Sequence, residues 1–182
     1  QRGSSFLQMG IWTGITPVPK PATRNPETQL PAQLLYNLHN FYIISGFMHA
    51  GLISPHEEEK LFRKLYKYYA KLYPKAGFRK ERRKLTPRQM GRIQYTYPGE
   101  EAKATFSDKT REISSALEYG YDTPIIVLKA GNRMFLLDGH RRVKVAWKNK
   151  KGWDALLLST DKKGLEFGIE RMVEGKVADL WK

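Results

Sequence analysis

The chain has no cysteine among its 182 residues. That excludes disulfides, thiolate metal centres and a cysteine nucleophile, and it fits a reducing compartment. There is also no run of about 18 uninterrupted apolar residues, the length a membrane-spanning helix needs. The longest apolar stretch, Leu34 to Met48, is broken by Asn37, His39, Asn40, Ser45 and Gly46, so no membrane partner is expected. No secretory signal is visible at the N-terminus. The expected location is cytoplasmic, with a processed organellar protein also compatible. Histidine is scarce, and His39, His49 and His56 share no ligand spacing, so no structural metal is expected. Acid is scarce as well: 18 Asp and Glu stand against 32 Lys and Arg, leaving a net charge of +14. Such an excess speaks of solubility and polyanionic partners, not of fold.

An apolar fraction of 41%, with 8 Phe, 10 Tyr and 4 Trp, is enough for one domain with an appendage. Residues 1–31 carry five of the ten prolines, Pro17, Pro19, Pro21, Pro26 and Pro31. Proline fixes φ and removes a donor, so an extended arm is expected there. From Ala32 to Leu52 apolar residues recur at helical steps, through Leu34, Leu35, Leu38 and Tyr42. Ser54-Pro55-His56-Glu57 then reads as a new helix start, with Ser at N-cap, Pro at N1 and Glu closing a capping box. Leu61, Leu65, Tyr69 and Leu72 line one face of that helix and Lys60, Lys64, Lys67 and Lys71 another. Pro74 ends it. A helical hairpin over Ala32–Tyr73 is expected.

Most of the charge is concentrated next. Between Lys60 and Arg92 stand thirteen Lys or Arg and one acid, Glu81. Such an uncompensated run points to a polyanion. Lys64, Lys67, Lys71, Arg79, Lys80, Arg82, Arg83 and Lys84 are the candidate nucleic-acid contacts, neutralising phosphates while the interleaved Tyr66, Tyr68, Tyr69, Tyr73 and Phe78 offer rings for base stacking. The plainer alternative is a solvated helix face with its tyrosines in the core. A DNA or RNA partner is expected, within a larger ribonucleoprotein or chromatin assembly along which the arm could thread.

After the basic window, elements alternate. Ser107-Asp108 predicts the cap of a helix carrying Ile113, Ala116 and Leu117 and ending at Gly120. Ile125–Leu128 and Met134–Leu137 predict two strands of a hairpin about the Gly131-Asn132 turn. A helix from Arg141 to Asn149, a strand over Asp154–Leu158 and a helical end from Leu165 to Trp181, broken at Gly175, complete the expectation.

The turn Asp138-Gly139-His140-Arg141-Arg142 joins a strand to a helix. Glycine there lets backbone N–H groups approach a ligand, and a helix N-terminus is a ready anion site. His140, Arg141 and Arg142 add donors, and arginine forks match phosphate oxygens in pairs. Asp138 could cap the helix, orient His140 or an arginine, or meet Mg²⁺ carried by a nucleotide. The plain alternative is an N-cap Asp ahead of a solvated basic turn.

The passage from Pro124-Ile125-Ile126-Val127 through Met134-Phe135-Leu136-Leu137 to Asp138-Gly139-His140-Arg141-Arg142 resembles the ParB/sulfiredoxin superfamily. Its Asp-Gly-His-x-Arg form is closest to the archaeal ParB-like and free-serine-kinase branch. The resemblance covers about 93–158. It implies an α+β fold, a small mixed sheet with helices, here preceded by a basic helical hairpin and a Pro-rich arm. The expected division is 1–31 arm, 32–92 basic helical region and 93–182 ParB/sulfiredoxin-like domain. It also implies that Gly139, His140, Arg141 and Arg142 cradle the phosphates of ATP, ADP or CTP with Mg²⁺. In the kinase branch a glutamate deprotonates the serine hydroxyl. Glu100 in Pro98-Gly99-Glu100 would take that part, with Glu101 equally available, and Asp138 would handle the metal or the transferred phosphoryl. In sulfiredoxins a catalytic cysteine precedes the arginine, so that reaction is excluded here. A nucleotide- and nucleic-acid-binding module and a serine-kinase-like phosphotransferase are the two functions carried forward. A nuclease, for want of an acidic cluster, ranks third.

Overall fold

A computed structural model describes residues 52–182 of the chain, except the side chains of Glu100 and Glu101. The expected arm and the first helix of the expected hairpin lie outside them. The first described helix, α1 (Pro55–Leu72), starts as its sequence dictates. The Glu57 N–H donates to the Ser54 hydroxyl, and the Ser54 N–H donates to the Glu57 carboxylate at 2.9 Å. Leu61, Phe62, Leu65 and Tyr69 form its buried stripe. Burial of each is worth about 1.5–3 kcal/mol.

Beyond α1 come β1 (Arg79–Leu85), α2 (Pro87–Met90), β2 (Gln94–Thr96), α3 (Glu100–Ala104), α4 (Phe106–Ala116), β3 (Ile125–Ala130), β4 (Arg133–Asp138), α5 (His140–Lys148), β5 (Trp153–Thr160), β6 (Val173–Lys176) and α6 (Val177–Leu180). The protein is α+β. Its six strands form one mixed sheet in the order β1-β5-β3-β4-β2-β6. The β3–β4 hairpin forms as expected, and α5 carries the chain from β4 to β5, which runs parallel to β3. Leucines 156 and 158, Ile126 and Leu128 meet α1 on one face. Val127, Leu157 and Ala155 meet Val143 and Ala146 of α5, with Met90 and Val177, on the other. Alternation along fully buried strands thus supplies two cores from one sheet. Among the described residues no helix is long and apolar enough to cross a membrane.

Three expectations are corrected. The run Arg79–Leu85 is a strand, paired with β5 along its whole length from Arg79↔Ser159 to Leu85↔Trp153. The sheet therefore crosses the boundary expected at residue 92. Its charges give it poor strand propensity, but an edge position leaves them in water, where they also deter pairing with other chains. The C-terminal segment is not a broken helix. Phe167 is buried ahead of a 3₁₀ turn that opens with the buried Ile169, and β6 then pairs antiparallel with β2 at the other edge. Finally, Ser107 and Asp108 lie inside the first turn of α4, whose N-cap is Thr105. The end at Gly120 is as expected, with φ +84° following a 3₁₀ turn.

Candidate functional site

β4 delivers Asp138 to the edge of the first turn of α5, and Gly139 makes the corner. Its φ is +93°, and a Cβ there would stand 2.6 Å from Ile125 Cγ2. Glycine is thus required by conformation and by the close approach of β3.

Arg142, expected in the phosphate cradle, points into the protein. Its guanidinium donates to Glu58 Oε2 at 2.9 Å, to Asp138 Oδ2 at 2.6 Å and to the Pro124 carbonyl. Its side chain is 4% exposed and that of Glu58 fully buried. Of the roles open to Asp138, the structure realises the orientation of an arginine. Glu58 had not been singled out, although its place on the stripe with Leu61, Phe62 and Leu65 was a signal. An acid on an apolar helix face needs a buried cation.

Two carboxyls share this one guanidinium. Burial, and then the charge of Asp138, push the Glu58 carboxyl well above the ordinary range, and Arg142 opposes that only in part. Asp138 is also desolvated, but Arg142 and His140 outweigh this and hold it below its usual value. The two carboxyls are thus pushed in opposite directions around one guanidinium. Among the described residues Glu58 Oε1 is buried without a hydrogen-bond partner.

The linkage has a definite sign. The Glu58 contribution is fully present below the pKa of an unfolded glutamate and is lost as pH rises toward its folded value. Glu58→Gln keeps the shape and removes the titration. Denaturant unfolding at about pH 5 and about pH 8 is expected to show the variant gaining stability relative to the parent chain at the higher pH. Equal differences at both pH values would contradict the upward shift of the Glu58 carboxyl.

His140 and Arg141 face the other side of the turn. The Thr96 hydroxyl donates to the Leu136 carbonyl at 2.7 Å, so at 3.1 Å from His140 Nε2 it accepts from that nitrogen. His140 thereby ties the start of α5 to β2, with its ring edge-on to Tyr95. Arg141 donates to the Ala102 carbonyl at 3.0 Å and to Thr105 Oγ1 at 2.7 Å, holding α3 and α4 beside the turn. Its Nε is buried without a hydrogen-bond partner among the described residues. Glu100 begins α3, the helix that Arg141 grips at Ala102, so the backbone of the candidate base lies beside the turn.

Next to this turn a cleft of about 210 Å³ opens among Tyr95, Pro98, Lys103, Phe106, Leu180 and Trp181. The Lys144 ammonium stands 4.6 Å from the Phe106 ring centre and 5.7 Å from that of Trp181. Burial, then the neighbouring Lys148, holds it below the usual lysine range. Lys103 spans the cleft to Glu174 at 3.3 Å. Sequence reasoning missed Phe106, Lys144 and Trp181, because only the pairing of β6 with β2 brings Trp181 back to Tyr95, where the ring centres are 5.0 Å apart. Among the described residues no group of three or more His, Asp or Glu could hold a metal ion.

The candidate nucleic-acid contacts form a separate surface. Lys64, Lys67 and Lys71 on α1 and Arg79, Lys80, Arg82, Arg83 and Lys84 on β1 are all exposed. Lys80, Arg82 and Lys84 lie opposite Leu158, Leu156 and Asp154, which puts them on the α1 side of the sheet. Lys80 stands 4.4 Å from the ring centre of Tyr66 on α1, joining the two rows. Arg79, Arg82 and Arg83 pair with Asp161, Asp154 and Glu81. Lys67, Lys71, Lys80 and Lys84 have no acid within ion-pair distance among the described residues.

Compared with protein-family models, curated proteins and solved structures, the chain matches none.

Proposed function

We propose that this chain is a ParB-like nucleotide- and phosphate-binding protein that associates with nucleic acid, DNA or RNA, through the basic face of α1 and β1. The observation that carries the reading is the joined double row of exposed cations, in which Lys67, Lys71, Lys80 and Lys84 meet no acid among the described residues. Packing does not need these ammonium groups, and a phosphate backbone would release its counterions to them. The strand–glycine turn–helix passage at Gly139 supports the ParB/sulfiredoxin assignment. The test is charge reversal. Lys67→Glu, Lys71→Glu and Lys84→Glu together are expected to abolish oligonucleotide binding near physiological salt while leaving the unfolding midpoint within experimental error. Retained affinity would contradict the reading.

The cleft favours a second reading, an ATP- or ADP-dependent kinase acting on a free hydroxyl such as that of serine, with Glu100 as base. Among the described residues the buried Arg141 Nε has no hydrogen-bond partner, its guanidinium lies 6.0 Å from the centre of the Phe106 ring, and Lys144 stands over the same ring, which lines the cleft with Lys103. These donors and rings suit a phosphate and a base. Asp138 does not suit Mg²⁺, because its carboxylate is taken up by Arg142. Calorimetric titration with Mg²⁺ and ATP, ADP or CTP, followed by a phosphotransfer assay on free serine, separates binding from turnover.

A further inference from the structure

We infer that the nucleic acid seated on the α1–β1 face is a duplex, gripped by its phosphates without base stacking; the inference rests on the nucleic-acid reading above. Proteins that hold single strands combine cations with open aromatic faces on which successive bases stack. In sequence this chain has both, since five rings are interleaved with the cations. In the fold Tyr69 and Phe78 are buried, and Tyr66, Tyr68 and Tyr73 are partly buried and packed against the same core. Tyr69 is 1% exposed, and its ring meets those of Tyr68, Tyr73, Phe78 and Phe167 with centres 5.5–6.3 Å apart. Tyr73 also packs against Phe167 at 5.2 Å. Phe78 is buried, and Tyr66 donates its hydroxyl to the Phe78 carbonyl while Lys80 covers its ring. The surface keeps the cations, while no ring of the five stands open to solvent as a free stacking platform.

What remains is two straight rows on rigid elements. Lys67 and Lys71 are one helical turn apart, roughly 6 Å. Lys80, Arg82 and Lys84 repeat every second residue of a strand, roughly 6.7 Å. Such a fixed array suits the regular phosphates of a double helix. A single strand would have to be ordered on it and would gain no stacking in return. The ion pairs of Arg79, Arg82 and Arg83 are more than half exposed on the arginine side. Exposed pairs of this kind are weak, so a phosphate can share these guanidinium groups. With contacts to phosphates alone, binding carries no sequence preference.

The test uses the whole chain and four fluorescent ligands of one mixed sequence, about 20 nucleotides or base pairs long: duplex DNA, duplex RNA and the two single strands. At equal salt at least one duplex is expected to bind at least about tenfold more tightly than either single strand, with log K falling against log salt at a slope of about −4. The two duplex arms tell DNA from RNA. Lys67→Glu, Lys71→Glu, Lys80→Glu and Lys84→Glu combined are expected to remove the duplex preference. Single strands binding as tightly as duplexes, or tighter, overturn the inference while the nucleic-acid reading stands. A duplex preference that survives the four reversals also overturns it. Failure of all four ligands to bind overturns both.

Discussion

Arg142→Ala is expected to destabilise the fold by about 3–5 kcal/mol, the cost of stripping the partner from a buried charge. The guanidinium is the only cation within ion-pair distance of Glu58 and Asp138 among the described residues, and it also satisfies the Pro124 carbonyl. Without it an ionised Asp138 faces a buried Glu58 across an empty volume. Glu58 comes from α1 and Asp138 from the end of β4, so the loss loosens the helix from the sheet as well as the turn from its seat. For a chain of this length such a cost lowers the thermal midpoint by roughly 10 °C or more. Arg142→Lys is expected to restore little, because one ammonium cannot reproduce the fork. Glu58→Leu with Arg142→Met is expected to be less damaging than Arg142→Ala alone, since it removes one of the two carboxyls left without a partner and fills the space. An Arg142→Ala chain within about 0.5 kcal/mol of the parent would show that Arg142 faces solvent or a ligand.

Gly139→Ala is expected to cost roughly 2–5 kcal/mol, from left-handed backbone strain together with overpacking. The added Cβ meets Ile125 Cγ2 at 2.6 Å and Arg142 Nε at 3.2 Å, two groups fixed by the sheet and by the buried ion pair. Gly120→Ala is the control. Its φ is +84°, but a Cβ there has nothing within 4 Å, so it carries only the backbone term. Urea unfolding of the two variants separates conformation from packing. If Gly139→Ala costs no more than Gly120→Ala, the tight seat of the turn against β3 is wrong.

Where local chemistry decides the outcome, the sequence was legible. Ser54 and Glu57 specify the start of α1 through their mutual hydrogen bonds, and Pro55 through its fixed φ at the first helical position. Ile125–Leu128, Gly131-Asn132 and Met134–Leu137 specify the hairpin, and Gly139 the corner after it. Illegible were the elements made by distant partners. Nothing local in Arg79–Leu85 favours a strand; pairing with β5 imposes one. Leu165, Phe167 and Ile169 alternate in sequence, yet they lie in a loop and the start of a 3₁₀ turn, buried or partly buried only by contact with the distant α1 core. At the site, residue type misled about direction. Arg142 and Arg141 are neighbours in a basic turn, yet one faces inward to a carboxyl more than eighty residues away in sequence. The other grips the carbonyl of Ala102. The tyrosines of α1 likewise read as open rings beside cations until the core they enter is seen.

The salt dependence of nucleic-acid binding, followed side by side in the parent chain and the Lys67→Glu, Lys71→Glu, Lys84→Glu variant, tests the basic face most directly. Each lysine that meets a phosphate contributes about 1 to the slope of log K against log salt, so the variant's slope is expected to be shallower by about 3. Coincident lines for the two proteins would contradict the account and turn attention to Lys103 and Lys144 at the aromatic cleft.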